Sequence, residues 1–134
     1  QKIVNERFNQ AKKELKLSRQ ALKRWFTDKY LENNPGTYEK ISSILSKNNM
    51  TNFLKVYELF VKHKNDEDFK KIQTKTLVMT GEHDIGSTIE MSQQLNNVIM
   101  DSELKIIKEG KHLCGIECAD EVNLSIKNFI DKYE

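Results

Sequence analysis

The second half of the sequence predicts two β-strands that alternate with two helices, and this order restricts the fold more than any other feature of the chain. Residues 76–80 read Thr-Leu-Val-Met-Thr, a short apolar segment that is followed by Gly81. Such a segment favours a strand that is buried on both faces. Residues 104–107, Leu-Lys-Ile-Ile, predict a second strand that ends before Gly110. A strand-helix-strand-helix order favours parallel strands in an α/β sheet.

Apolar residues at helical spacing follow each predicted strand. Ser87 and Glu90 have the S-x-x-E spacing of a capping box, which predicts the start of the first helix. Asp120 is the predicted cap of the second helix. The residues expected to face inward are Met91, Leu95, Val98 and Ile99 in the first helix, and Val122, Ile126, Phe129 and Ile130 in the second.

The chain before the first strand is predicted to form four helices and a short turn or helix that leads to Ile72. Thr37 and Thr51 are the predicted caps of the third and fourth helices, and residues 33–36, Asn-Asn-Pro-Gly, are predicted to end the second. The apolar positions at helical spacing are Val4, Phe8, Ala11 and Leu15, then Leu22, Trp25, Phe26 and Tyr30, then Tyr38, Ile41 and Leu45, then Phe53, Val56, Tyr57 and Phe60.

Two strands are too few for a stable sheet. An apolar parallel strand also has an edge that must be covered. We therefore expect the rest of the sheet to come from another segment or another chain, either a missing N-terminal half or a second copy. The sequence begins with Gln, which leads us to expect a processed or excised piece of a longer protein.

The charge balance gives no indication of a nucleic-acid or membrane partner. The 22 Lys and Arg residues nearly balance 20 Asp and Glu residues, and neither half is a dense basic block. The longest apolar runs are only a few residues, so no membrane span is predicted. The two cysteines are too few for a disulfide framework, and a cytoplasmic location is the expectation.

A candidate acid and a candidate base each follow one of the predicted strands. Asp84 lies just after the first strand, and His112 lies just after the second. Reactive groups of α/β sheets gather at the carboxyl ends of the strands. An ionised Asp there can accept the Nδ1 hydrogen of a His, which can then take a proton from a nucleophile. From spacing alone the simpler interpretation is favoured, namely a solvated turn residue and an ordinary loop residue.

Several segments resemble the α/β-hydrolase superfamily. Residues 76–84, Thr-Leu-Val-Met-Thr-Gly-Glu-His-Asp, resemble its TLVxxGxxD segment. Residues 111–113, Lys-His-Leu, together with Glu117 resemble the xHLxxxE segment after its last strand. Residues 23–27, Lys-Arg-Trp-Phe-Thr, look like the xRWFT segment in the lid of 3-oxoadipate enol-lactonases and related esterases. The resemblance covers nearly the whole chain, starting inside the first lid helix.

The resemblance implies an α/β fold that is the C-terminal part of a hydrolase. Residues 1–72 would be a helical lid, and residues 73–134 would contain the last two parallel strands and their helices. Asp84 would be the triad acid, His112 the triad base, and Trp25 a lid residue of the substrate pocket. The implied substrate is a carboxylic ester or a lactone, and neither a cofactor nor a metal is implied.

The sequence also departs from the superfamily pattern. The G-x-S-x-G nucleophile elbow has no match, and the oxyanion-hole loop that precedes it is absent. Lys75 replaces the usual proline before the first strand. The resemblance therefore implies hydrolase chemistry for a larger parent protein, whereas this chain alone is expected to be inactive.

Other interpretations remain open from the sequence. Haloalkane dehalogenases and epoxide hydrolases have an aspartate at the elbow, and C–C bond hydrolases share the same acid and base. A non-catalytic binding protein of this fold is a further alternative, although it would have no need of the acid–base pair. His112, Cys114 and Cys118 resemble a loose metal cluster, but structural zinc normally takes four ligands from paired clusters. We therefore predict no metal site.

The superfamily interpretation makes one geometric prediction. An Asp84 carboxylate oxygen should lie about 2.6–3.2 Å from His112 Nδ1, because both residues follow neighbouring parallel strands. A structure that places the two side chains on opposite edges of the sheet would contradict it.

Overall fold

A computed structural model describes residues 19–62 and 68–134, together with Glu6 and Asn9. The helices before the strands are α1 (Arg19–Trp25), α2 (Asp28–Asn33), α3 (Pro35–Ser46) and α4 (Met50–Lys62), and a 3₁₀ turn follows at Phe69–Lys71. Strand β1 (Thr76–Gly81), helix α5 (Ile89–Val98), strand β2 (Ser102–Ile107), and helices α6 (Cys114–Glu117) and α7 (Ala119–Tyr133) complete the described chain. The predicted helix with Val4, Phe8, Ala11 and Leu15 lies outside the described residues.

The predicted α/β fold is confirmed. Strands β1 and β2 pair in parallel, with Thr76 opposite Ser102 and Gly81 opposite Ile107. Helix α5 connects the two strands and contacts both of them, and α7 contacts β2. Val78 and Thr80 are buried on one face of β1, whereas Leu77 and Met79 on the other face are half-buried. The sequence predicts a strand that is buried on both faces, whereas one face of β1 is only half-buried.

The predicted second helix is divided in two at Thr27. The backbone of Thr27 is extended, and its side chain caps α2 by accepting a hydrogen bond from the Tyr30 amide at 3.2 Å. Phe26 is fully buried, and its ring stacks on that of Tyr30 with 5.3 Å between the centroids. The division places Thr27 at a corner of the chain, where its backbone amide is free to bond outside the helix.

Two predicted helix caps before the strands need correction. Asn34 occupies the cap position of α3, and Pro35 begins that helix, so the prediction of Thr37 as its cap is wrong. Proline suits the first helical turn because its fixed φ is already helical and it has no N–H to satisfy. Helix α4 begins at Met50, and Asn49 caps it by accepting a hydrogen bond from the Asn52 amide at 3.0 Å, so the prediction of Thr51 as its cap is also wrong.

Helix starts in the second half differ from the prediction by one or two residues. Thr88 caps α5 by accepting from the Met91 amide at 3.3 Å, so the prediction of Ser87 as the cap is wrong. Cys118 is at the cap position of α7, and Asp120 lies in the first turn instead. The short helix α6 has no counterpart among the elements predicted from the sequence.

The helices carry more exposed apolar surface than the sequence predicts. Met91, Ile126 and Ile130 were expected to face inward, and all three are exposed. In the part of the chain that the structure describes, β1 pairs only with β2. The exposed large apolar side chains are Ile44, Val56, Leu59, Phe60, Ile85, Met91, Met100, Ile116, Leu124, Ile126, Ile130 and Tyr133.

Among the described helices, none combines the length and the apolar character that crossing a bilayer requires.

We predict that the chain of 15.7 kDa does not remain an isolated monomer in this arrangement. A second copy or a separate fragment should add strands at β1, or the helices should repack over its edge, because each buried backbone group left unpaired costs about 1–3 kcal/mol. Multi-angle light scattering over a concentration series should give a mass above that of one chain where strands are added. A monodisperse monomer that keeps this arrangement and whose β1 amides exchange as slowly as those of a central strand would contradict the prediction.

Candidate active site

Asp84 is held in a tight turn just beyond the end of β1. Its amide donates to the carbonyl of Gly81 at 3.1 Å, which folds the chain back toward the strand. Its Oδ1 accepts hydrogen bonds from the amides of Gly86 at 2.7 Å and Ser87 at 3.1 Å. The side chain is only 5% exposed. These backbone donors fix the carboxylate in one orientation and leave Oδ2 for another partner.

That partner is His112, on the loop that follows β2. The distance between His112 Nδ1 and Asp84 Oδ2 is 2.8 Å, so the predicted geometry is confirmed. When the carboxylate is ionised, Nδ1 carries the hydrogen, and Nε2 is the nitrogen that can accept a proton. The imidazole is 44% exposed, in contrast to the buried carboxylate. The arrangement therefore presents an oriented base at the surface of the described chain.

The two loops approach so closely because Gly81 has no side chain. A Cβ atom at this position would lie 2.4 Å from the Lys111 carbonyl oxygen and 2.5 Å from that of Gly110. The next two amides bond across the same gap, Glu82 to the Ile107 carbonyl and His83 to the Gly110 carbonyl, both at 2.9 Å. The glycine in the strand-end motif thus allows direct backbone contact between the Asp84 loop and the His112 loop.

The turn after β2 contains a residue in the left-handed region. Glu109 has φ 55°. Among the described residues, it is the one non-glycine residue with a positive φ. Its amide donates to Glu82 Oε2 at 2.9 Å, and its own carboxylate pairs with Lys29 at 2.9 Å. These contacts hold an uncommon backbone conformation directly before the loop that carries His112.

Glu117 also belongs to the site, although the sequence places it only in the xHLxxxE motif and predicts no role for it. It lies in α6, and its carboxylate accepts hydrogen bonds from the Lys111 amide and from Thr27. Lys111 directly precedes His112, and Thr27 is the corner between the first two described helices. The motif spacing indicates that an acidic residue is present there, whereas only the fold shows which amides it binds.

His112, Cys114 and Cys118 do not form a metal site with the other described residues. In the described ranges, no group of three His, Cys, Asp or Glu side chains is placed to hold a metal ion. Cys114 and Cys118 are free thiols and are half-buried. Burial raises the pKa of both thiols, and the Asp84 carboxylate raises the pKa of Cys114 further. Both effects reduce the thiolate fraction at neutral pH, which disfavours either cysteine as a nucleophile.

The backbone of Trp25 contacts the His112 loop. Its carbonyl accepts a hydrogen bond from the Leu113 amide at 2.9 Å, and its side chain is half-buried. An open cleft of about 530 Å³ lies elsewhere in the helical segment and is lined by Lys23, Asp28, Leu31, Glu32 and Tyr38. That lining includes neither Trp25 nor the acid–base pair. The role of Trp25 in a substrate pocket stays a prediction.

Comparison with solved structures identifies the same fold in a hydrolase. The chain superimposes on the crystal structure of MGS-M2, an α/β hydrolase enzyme from a Medee basin deep-sea metagenome library, with a TM-score of 0.73 and 15% sequence identity. The match covers 84% of this chain and 43% of that structure. The chain therefore has the fold of a part of an α/β hydrolase and spans less than half of that enzyme. No protein-family model and no curated protein matches the sequence.

The thiols provide a test of the site geometry by pH titration. We predict that iodoacetamide alkylates Cys114 and Cys118 with apparent pKa values above that of an ordinary thiol, because burial disfavours the thiolate. In Asp84→Asn the pKa of Cys114 should fall, since a nearby negative charge is removed. The charges that raise the pKa of Cys118 are those of Glu117, Cys114, Glu121 and Glu109, so Cys118 is an internal control for the direct effect of Asp84. Equal shifts of both thiols, or none at Cys114, would contradict the placement of Asp84.

Proposed function

We propose that this segment supplies the acid and the base of a catalytic triad in a hydrolase that cleaves carboxylic esters or lactones. The proposal depends mainly on one observation, the 2.8 Å contact between Asp84 Oδ2 and His112 Nδ1. A buried carboxylate that is fixed by two backbone amides and bonded to a partly exposed imidazole is suited to orient a general base. The fold shared with the α/β hydrolase MGS-M2 supports the same class of reaction.

In the proposed reaction, His112 Nε2 takes the proton of a nucleophilic hydroxyl as that oxygen attacks the substrate carbonyl. The imidazole becomes a cation, which the ionised Asp84 stabilises through Nδ1. The cation then gives the proton to the departing alkoxide as the C–O bond breaks. A water molecule, deprotonated by the same nitrogen, then attacks the acyl carbonyl. The imidazolium returns that proton to the nucleophile oxygen as its bond to the acyl carbon breaks, which releases the carboxylic acid and restores the hydroxyl. None of these steps calls on a cofactor.

The nucleophile is proposed to lie outside this chain. The sequence contains no G-x-S-x-G elbow, which is where this fold class carries its nucleophilic serine. Cys114 is the closest sulfur candidate along the chain, but its raised pKa opposes that role. In the part of the chain that the structure describes, one side of β1 has no strand partner, and further strands that carry the elbow could join there.

The substrate class is supported by the lid sequence. Residues 23–27 resemble the lid segment of 3-oxoadipate enol-lactonases and related esterases. The same residues contact the His112 loop, since the Trp25 carbonyl and the Thr27 amide both bond to groups in residues 113–117. An ester or a lactone bound under this segment would be close to the proposed base.

The activity test compares this chain with a longer polypeptide in which the missing strands and a G-x-S-x-G elbow precede residue 1. We expect this chain alone to hydrolyse p-nitrophenyl acetate no faster than its His112→Ala variant. The longer polypeptide should be active and should react covalently with a fluorophosphonate. In it, His112→Ala and Asp84→Asn should each lower kcat by about four orders of magnitude, because the base is lost or held in the wrong tautomer.

Lys127→Ala is the matched control for these variants, since Lys127 pairs with Asp131 on the surface of α7. It should leave kcat unchanged. Full activity of the longer polypeptide after loss of His112 would overturn the proposed role of that residue. Activity without any labelling by the fluorophosphonate would argue against a serine nucleophile.

A further inference from the structure

We propose that Glu117 is a positioning residue that fixes the His112 loop to the helical lid, so that the orientation of the base depends on the position of the lid. This inference deepens the proposed function, on which it rests, by adding a residue that neither touches His112 nor reacts. Its basis is a set of hydrogen bonds that converge on the Glu117 carboxylate.

The carboxylate binds the two segments with different oxygen atoms. Glu117 Oε2 accepts from the Lys111 amide at 2.9 Å. Glu117 Oε1 accepts from the Thr27 amide at 2.9 Å and also from the Thr27 hydroxyl. One ionised side chain therefore satisfies three donors, and two of them are backbone groups. Hydrogen bonds to a charged acceptor are stronger than those between neutral groups.

Two further bonds join the same segments. The Leu113 amide donates to the Trp25 carbonyl at 2.9 Å, and Lys111 Nζ donates to the Lys23 carbonyl at 2.6 Å. His112 lies between Lys111 and Leu113, so both of its chain neighbours are bound to the lid segment 23–27. We name these contacts the Glu117 clamp, comprising the three bonds of the carboxylate and the two bonds between Lys111 or Leu113 and the lid.

The clamp differs from the contacts that hold Asp84. Asp84 is oriented by amides of its own turn, those of Gly86 and Ser87, close in the sequence. The His112 loop instead takes its lid-side support from residues about 90 positions away, because Thr27 and Glu117 are separated by 90 residues. A displacement of the lid would therefore move the base more than the acid, and it would lengthen the bond between them.

The carboxylate is required because a carboxylate only accepts hydrogen bonds. In Glu117→Gln one of the two terminal atoms becomes an NH₂ donor. That NH₂ group would face either the Lys111 amide or the Thr27 amide, and both of these are donors too. The substitution preserves the size and shape of the side chain, but one of its two terminal atoms can no longer accept a hydrogen bond. The matched control is Asp131→Asn, which makes the same change from a carboxylate to an amide at an exposed position of α7, where Asp131 pairs with Lys127.

The test uses the full 134-residue chain and needs no substrate, so its result is independent of whether the chain belongs to a hydrolase. Nuclear magnetic resonance records the downfield Nδ1–H signal of His112, and amide exchange is measured in residues 108–116 and in β1. In Glu117→Gln the Nδ1–H signal should broaden or disappear. Amides in residues 108–116 should exchange about ten- to a hundredfold faster, as expected for a lost charged hydrogen bond. The β1 amides should keep their rates.

Asp131→Asn should leave both readouts as in the unmodified chain. An unchanged Nδ1–H signal in Glu117→Gln would overturn the proposal, as would a uniform acceleration that includes β1, which indicates general destabilisation. Thr27→Ser and Thr27→Val provide a second pair of variants. Serine retains the hydroxyl donor and should preserve the signal, whereas valine lacks it and should weaken the signal. Equal behaviour of the two Thr27 variants would also contradict the clamp.

Discussion

The parallel pairing of β1 and β2 is the interaction on which the rest of this structure depends. It aligns Gly81 with Ile107, so that both strands end at the same edge of the sheet. The loops that leave this edge then lie against each other, in direct backbone contact over Gly81. Without that register, Asp84 and His112 would be two unrelated polar residues. With it, their side chains meet at 2.8 Å.

Asp84 and His112 are held in place by different parts of the chain. The Asp84 carboxylate is buried and is held by its own turn. His112 is exposed and lies on a loop that is tied to residues 23–27 through Glu117 and Trp25. The proposed positioning role of Glu117 follows from this difference.

The fold could be predicted from the sequence where patterns are local. The strands, their parallel order and the helix between them follow from apolar runs and helical spacing in residues 76–107. Helix starts were less predictable, because Ser87, Thr88 and Thr37 all have side chains able to cap and only the backbone geometry selects among them. The inward placement of Ile126 and Ile130 was wrong, since it assumed a surface for α7 that the described residues do not supply.

By itself, the sequence determined that Asp84 and His112 follow successive strands, whose ends share one edge of a parallel sheet. Their proposed roles as acid and base came from the resemblance of residues 76–84 and 111–113 to the α/β-hydrolase superfamily. Tertiary structure alone decided how the base is held. The partners of Glu117 are two backbone amides and a hydroxyl. Almost every residue has a backbone amide, so the residue type does not indicate which amide Glu117 binds. A contact across 90 residues can be recognised only when the chain has folded, because no local periodicity or spacing encodes it.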